Sequence, residues 1–136
     1  MKTPPVIVSL PIADRRKAFA FYTTGLGLRP VGKPADDGVP EPLQFELNDG
    51  LRLMLIPTGG FGWVVGNREV APSNQSECFI SITAGSEADV DERLRKARDA
   101  GAMIVSDAAY QPWGYAGTFA DVDGHVWQVT ASSPPD

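Results

Sequence analysis

The chain has 136 residues, enough for a sizeable core without disulfide staples. Its 43% apolar and 21% charged residues are those of a globular protein and argue against disorder. The net charge of -5 argues against nucleic-acid binding and mildly favours a cationic ligand, and the single cysteine, Cys78, allows neither an intrachain disulfide nor a cysteine-only metal cluster.

No segment approaches the roughly 18 apolar residues of a membrane span. The opening Met1-Lys2-Thr3-Pro4-Pro5 lacks the apolar run of a secretory signal. A cytoplasmic location without membrane association is the expectation.

The β-branched run Val6-Ile7-Val8-Ser9-Leu10 predicts a strand. Asp14 follows as a helix N-cap, and Ala18, Phe21, Tyr22 and Leu26 then form one apolar helical stripe. Gly25 and Gly27 are expected to stop that helix. A short strand is expected at 28–31, then a Pro-, Gly- and Asp-rich loop at 33–42. Phe45 to Leu47 and Leu51 to Leu55 read as strands joined by Asp49-Gly50, whose composition suits the positive φ angles of a tight hairpin. The stretch 57–76 reads as a long loop, and long loops often carry function.

The same order then returns. Cys78-Phe79-Ile80-Ser81-Ile82 predicts a strand, with Ser81 72 positions after Ser9. Ser86-Glu87-Ala88-Asp89 is a variant of the capping box, with Asp in the fourth place. Val90, Leu94 and Ala97 make the apolar stripe, and Gly101 ends the helix. A strand is expected at 102–106. Phe119-Ala120-Asp121-Val122-Asp123-Gly124-His125-Val126-Trp127 repeats the strand, Asp-Gly and strand order at an offset of 74. The tail, 132–136, is expected to fray.

The fold class expected is therefore α+β, with two βαβββ modules in one domain over 1–136. Module one covers about 5–57 and module two about 77–131. One helix covers only one face of each sheet. The uncovered faces are expected to curve together around a cleft, where ligand sites form readily.

Two segments carry a resemblance. Leu10-Pro11-Ile12-Ala13-Asp14 leading to Phe21-Tyr22 and Leu26-Gly27-Leu28 is similar to the opening of the glyoxalase / bleomycin-resistance / extradiol dioxygenase superfamily, the vicinal oxygen chelate proteins. The hairpin from Phe119 to Trp127 is similar to its closing motif, so the resemblance runs from about Val6 to Thr130. It implies a glyoxalase-like fold, often dimeric. It also implies four metal-ligand positions, usually His, Glu or Gln, on the first and fourth strands of each module. Carried onto this chain, those positions hold Ile7, Met54, Phe79 and Gln128. Three of the four have no donor for a hard cation, so no metal and no cofactor are expected.

An apolar pocket is expected in the metal's place. Its expected lining is Ile7, Ser9, Phe45, Met54, Phe79, Ser81 and Gln128, with Phe61, Trp63, Tyr110, Trp113 and Tyr115 as aromatic walls. No catalytic residue is assigned. His125 follows a turn, and Asp121 and Asp123 are expected to shape it. The leading expectation is a homodimeric, metal-independent protein that sequesters a small aromatic or cationic compound, such as an antibiotic. The alternatives are a metal-dependent lyase, isomerase or dioxygenase of the same superfamily, and a non-catalytic assembly or regulatory module.

Overall fold

The computed structural model describes residues 3–131. The expectations for Met1, Lys2 and 132–136 lie outside that range. The chain divides into two compact units, Met1–Val70 and Ala71–Asp136.

The first unit holds strand β1 (Val6–Ile12), helix α1 (Arg15–Ala20), strands β2 (Arg29–Val31), β3 (Leu43–Asn48) and β4 (Leu51–Pro57), and helix α2 (Thr58–Val64). The second holds β5 (Phe79–Thr83), α3 (Glu87–Asp99), β6 (Met103–Gln111), β7 (Gly114–Ala120) and β8 (Val126–Ala131). The sheet orders are β1-β4-β3-β2 and β5-β8-β7-β6, the same arrangement twice. In each sheet the first and last strands run parallel and the other neighbours antiparallel. The duplicated α+β module read from the sequence is thus the architecture of the chain. Among the described residues no helix is long and apolar enough to cross a membrane.

Each core lies between a sheet and its helix. In the first unit Ala18, Phe21 and Tyr22 pack on Leu10, Ile12, Leu43, Phe45, Leu53 and Leu55, all buried. In the second, Val90, Leu94 and Ala97 of α3 are buried, as are Phe119, Trp127 and Val129 of the sheet. The rings of Phe119 and Trp127, cross-strand partners, lie nearly parallel at 6.4 Å. Both helices start as their caps predict. Asp14 accepts from the backbone N–H groups of Arg16 and Lys17, and Ser86 Oγ from that of Asp89. Asp89 reaches back to Gly85 N rather than to the cap residue, so the capping box closes one residue early.

The structure corrects four expectations. The α1 helix continues as a π-helical turn over Phe21–Gly25, where the Thr23 hydroxyl donates to the carbonyls of Phe19 and Ala20. A hydroxyl bonded to these carbonyls competes with the regular ladder and favours a wider turn. Gly25 is buried inside that turn, and Gly27, at φ +65°, is the residue that ends it. The supposed loop 57–76 opens with helix α2, anchored where Thr58 Oγ1 donates to Ile12 O. Strand β6 runs to Gln111 rather than to 106, so Tyr110 sits in a strand. At the two Asp-Gly sites only Gly124 adopts a positive φ, whereas Asn48 Oδ1 accepts Gly50 N and a bulge between Glu46 and Asn48 absorbs the first turn.

The loop 33–42 is tied to α1 by Arg15. Arg15 donates to Asp37 Oδ2 at 2.8 Å and to the carbonyls of Val39 and Pro40, and its Nε lies 3.1 Å from Glu41.

Candidate functional site

Strand alternation sorts the expected pocket residues between two faces of each sheet. In the second sheet Trp127 and Val129 point toward α3, so Val126, Gln128 and Thr130 lie on the opposite, distal face. The register sets Ser81, Gln128 and Thr118 side by side across β5, β8 and β7, with Phe79, Val126 and Ala120 one pleat away. Trp113 stands at the tip of the β6–β7 hairpin and folds over this face. Its indole N–H donates to Gln128 Oε1 at 3.0 Å, and Gln128 Nε2 donates to Ser81 Oγ at 3.0 Å.

This chain of bonds has a direction. An indole N–H can only donate, so it faces the amide oxygen. The amide NH2 must then face Ser81, whose oxygen accepts and whose own O–H is left available to another acceptor. Trp113 is 60% exposed and Phe79 61%, so two ring surfaces flank a hydroxyl donor. Such a face can stack a planar ring and bond an acceptor oxygen on it.

In the first sheet Leu53 and Leu55 are buried toward α1, which sets Arg52, Met54 and Ile56 on the distal face. Ser9, Met54 and Gln44 share one row, and Ile7, Arg52, Glu46 and Arg29 share the next. Ser9 and Met54 are half-buried.

Three expected pocket residues lie on the helix sides of their sheets. Phe45 is buried on the α1 side, tilted against Tyr22 at 5.6 Å and stacked on Phe19 at 6.3 Å. Its strand parity, one residue off Gln44 and Glu46, puts it there. Tyr110 and Tyr115 are cross-strand partners on the α3 side, where their hydroxyls donate to Glu87 and Asp91 of that helix. Both phenols titrate above the usual range, chiefly because these carboxylates accept their protons. Tyr115 also lines a cavity of about 310 Å³ with Asp91, Leu94, Arg98 and Ile104. Phe61 and Trp63 sit on α2, with Phe61 half-buried and Trp63 77% exposed.

The register also shifts the positions that the resemblance assigned to a metal. Ile7 lies opposite Arg52 and Phe79 opposite Val126, whereas the neighbours of Met54 and Gln128 are Ser9 and Ser81. Neither set fits a divalent cation. Ser, Met and apolar side chains offer no anionic or imidazole donor, and the Gln128 amide oxygen already accepts from Trp113. Among the described residues no three of His, Cys, Asp and Glu cluster at metal-binding distances. Asp121, buried, shapes the β7–β8 turn, its Oδ1 accepting from the backbone N–H groups of Asp123 and His125.

Thr118, Gln44 and Arg52 were not anticipated on these faces. The register that places them depends on the β6–β7 hairpin and the bulge in β3, and no single residue signals either.

The sequence profile of the Glyoxalase/Bleomycin resistance protein/Dioxygenase superfamily matches residues 6–129. No curated protein sequence matches significantly. Among solved structures, a glyoxalase-related enzyme from Fulvimarina pelagi is 25% identical, with a TM-score of 0.79 over 97% of this chain and 89% of that one. A glyoxalase/bleomycin resistance protein/dioxygenase from Nocardioides is 19% identical, with a TM-score of 0.74 over 100% of this chain and 87% of that one. The antibiotic binding protein TnmS3 from Streptomyces sp. CB03234 is 20% identical, with a TM-score of 0.64 over 97% and 98%.

Proposed function

Since this chain belongs to the Glyoxalase/Bleomycin resistance protein/Dioxygenase superfamily, we propose that it is a metal-independent binding protein for a small aromatic compound, such as an antibiotic. The observation that carries this reading is the bond chain Trp113–Gln128–Ser81 beside the exposed ring of Phe79. It presents a stacking surface and one oriented donor without any charge. A ligand ring stacks on the indole, and an acceptor oxygen of that ligand accepts a hydrogen bond from the Ser81 hydroxyl. The presence of an antibiotic binding protein among chains of this fold supports the reading.

Sequestration needs no bond making, and the polar groups present suit it. The Asp121 carboxylate is committed to its turn, which leaves it poorly placed as a general base. We further propose a homodimer, which would cover the edge strand β6 with its exposed Met103, Val105 and Tyr110. Light scattering coupled to size exclusion tests it: twice the chain mass is expected, and a monomer at micromolar concentration would contradict it.

The binding reading is tested by a thermal-shift screen of aromatic natural products in excess EDTA. A ligand at about 100 times its Kd adds about 2.7 kcal/mol of stability. Trp113→Ala should abolish the shift while keeping the melting temperature of the free protein close to wild type. A panel that moves nothing, or a shift unchanged in Trp113→Ala, would contradict the assignment. Hits that appear only when Ni, Zn, Fe or Mn is added would favour a metal-dependent enzyme instead.

A further inference from the structure

We infer that the distal face of the first module is a binding site for a small carboxylate, read by Arg52. This inference stands on the first module alone and is independent of the Trp113 site.

Three arginines of the described residues are partly withdrawn from solvent: Arg15, Arg52 and Arg93. Arg15 is ion-paired to Asp37 and Glu41, and Arg93 to Asp89. Arg52 has no ion pair within 4.0 Å among the described residues, although Glu46 is its direct cross-strand partner. A guanidinium without a paired anion keeps its N–H donors available to an incoming oxyanion.

The neighbours define the anion. The row across β1, β4, β3 and β2 reads Ile7, Arg52, Glu46, Arg29, which is two positive charges and one negative. The local balance of one positive charge suits a monoanion, even though the whole chain carries -5. At contact distance the local charges outweigh the distant ones, which salt screens over about 10 Å. The planar fork of Arg52 matches a carboxylate with two parallel bonds. Gln44 stands one pleat along, beside Met54. Ile7 and Met54 supply apolar contact for the remainder of such a ligand.

The test is an NMR titration of the full chain at constant ionic strength, following the side-chain Nε–H resonances of arginine. The probes are sodium benzoate, benzamide and inorganic phosphate. Arg52→Gln assigns the Arg52 signal by its disappearance. Benzoate should shift that signal saturably, benzamide should not, and phosphate should bind more weakly. Arg52→Gln should weaken benzoate binding, followed on backbone amides, by at least tenfold. Glu46→Gln removes the competing carboxylate and should tighten it about threefold. If Arg52→Gln fails to fold, the Glu46→Gln tightening still decides the matter. A non-saturable shift, an equal response to benzamide, tighter binding of phosphate, or no tightening in Glu46→Gln would overturn the inference.

Discussion

Gln128 sits between a group that can only donate and one that can do either, and this decides what the proposed site would offer a ligand. With the Trp113 N–H on Oε1, the amide must donate to Ser81, which leaves the Ser81 O–H available to another acceptor. Gln128→Glu removes that logic. A carboxylate still accepts from Trp113, but it also accepts from the Ser81 hydroxyl, so that donor is lost to a ligand. A ligand with an acceptor oxygen should then bind about 2- to 10-fold more weakly, the worth of one neutral hydrogen bond, by calorimetry. Unchanged affinity would remove Ser81 from the contact. At this scale the sequence was partly legible. Ser9 and Ser81 stood out as a pair, and Gln128 was the one polar residue at a position otherwise apolar. Phe45, Tyr110 and Tyr115 were misjudged because aromatic side chains serve both cores and sites, and one residue of register moves a ring to the other face.

Caps and turns fix where the elements begin and end. Ser86 Oγ accepts from one free N–H of the first turn of α3, that of Asp89, so Ser86→Ala should cost about 1 kcal/mol and lower Tm by about 4 °C. Gly124 is more constrained. It sits at φ +88°, and an added Cβ would lie 1.9 Å from the Ser73 carbonyl oxygen. Gly124→Ala should therefore lower stability by about 3 kcal/mol or more in denaturant unfolding, well beyond the cap variant. The helix and loop carboxylates set the acid limit. Asp14 is held below its usual range by the backbone N–H of Lys17, and Asp37 by that of Val39 and then by Arg15. The side-chain bonds from Arg93 and Arg95 do the same for Asp89 and Glu92. Lowered folded-state values mean stability that is complete above the ordinary 3.8 to 4.5 and is lost as pH falls through the folded values. Scanning fluorimetry should show Tm level from about pH 7 to 5 and falling below about pH 4, less steeply in Asp14→Asn. Most elements were legible because caps, apolar stripes and β-branched runs are local signals. Helix α2 was not: Thr58-Gly59-Gly60-Phe61-Gly62-Trp63-Val64 has three glycines, and the bond from Thr58 to Ile12 that anchors it is 46 residues distant.

Duplication governs the whole molecule. The strand order repeats because a helix over one face of a four-stranded sheet is the same local solution twice, and offsets of 72 and 74 made that visible in the sequence. The distal faces differ, however. The first presents Arg52, Glu46 and Gln44 beside Ile7 and Met54, and the second presents an uncharged bond chain between two exposed rings. Under the proposed function, recognition by stacking and hydrogen bonds needs no metal on either face. Calorimetric titration of a hit from the aromatic panel into EDTA-treated protein measures this directly. One affinity is expected, the same with EDTA and with added divalent metal, and lost in Trp113→Ala. Binding that disappears in EDTA and returns with stoichiometric metal would contradict it.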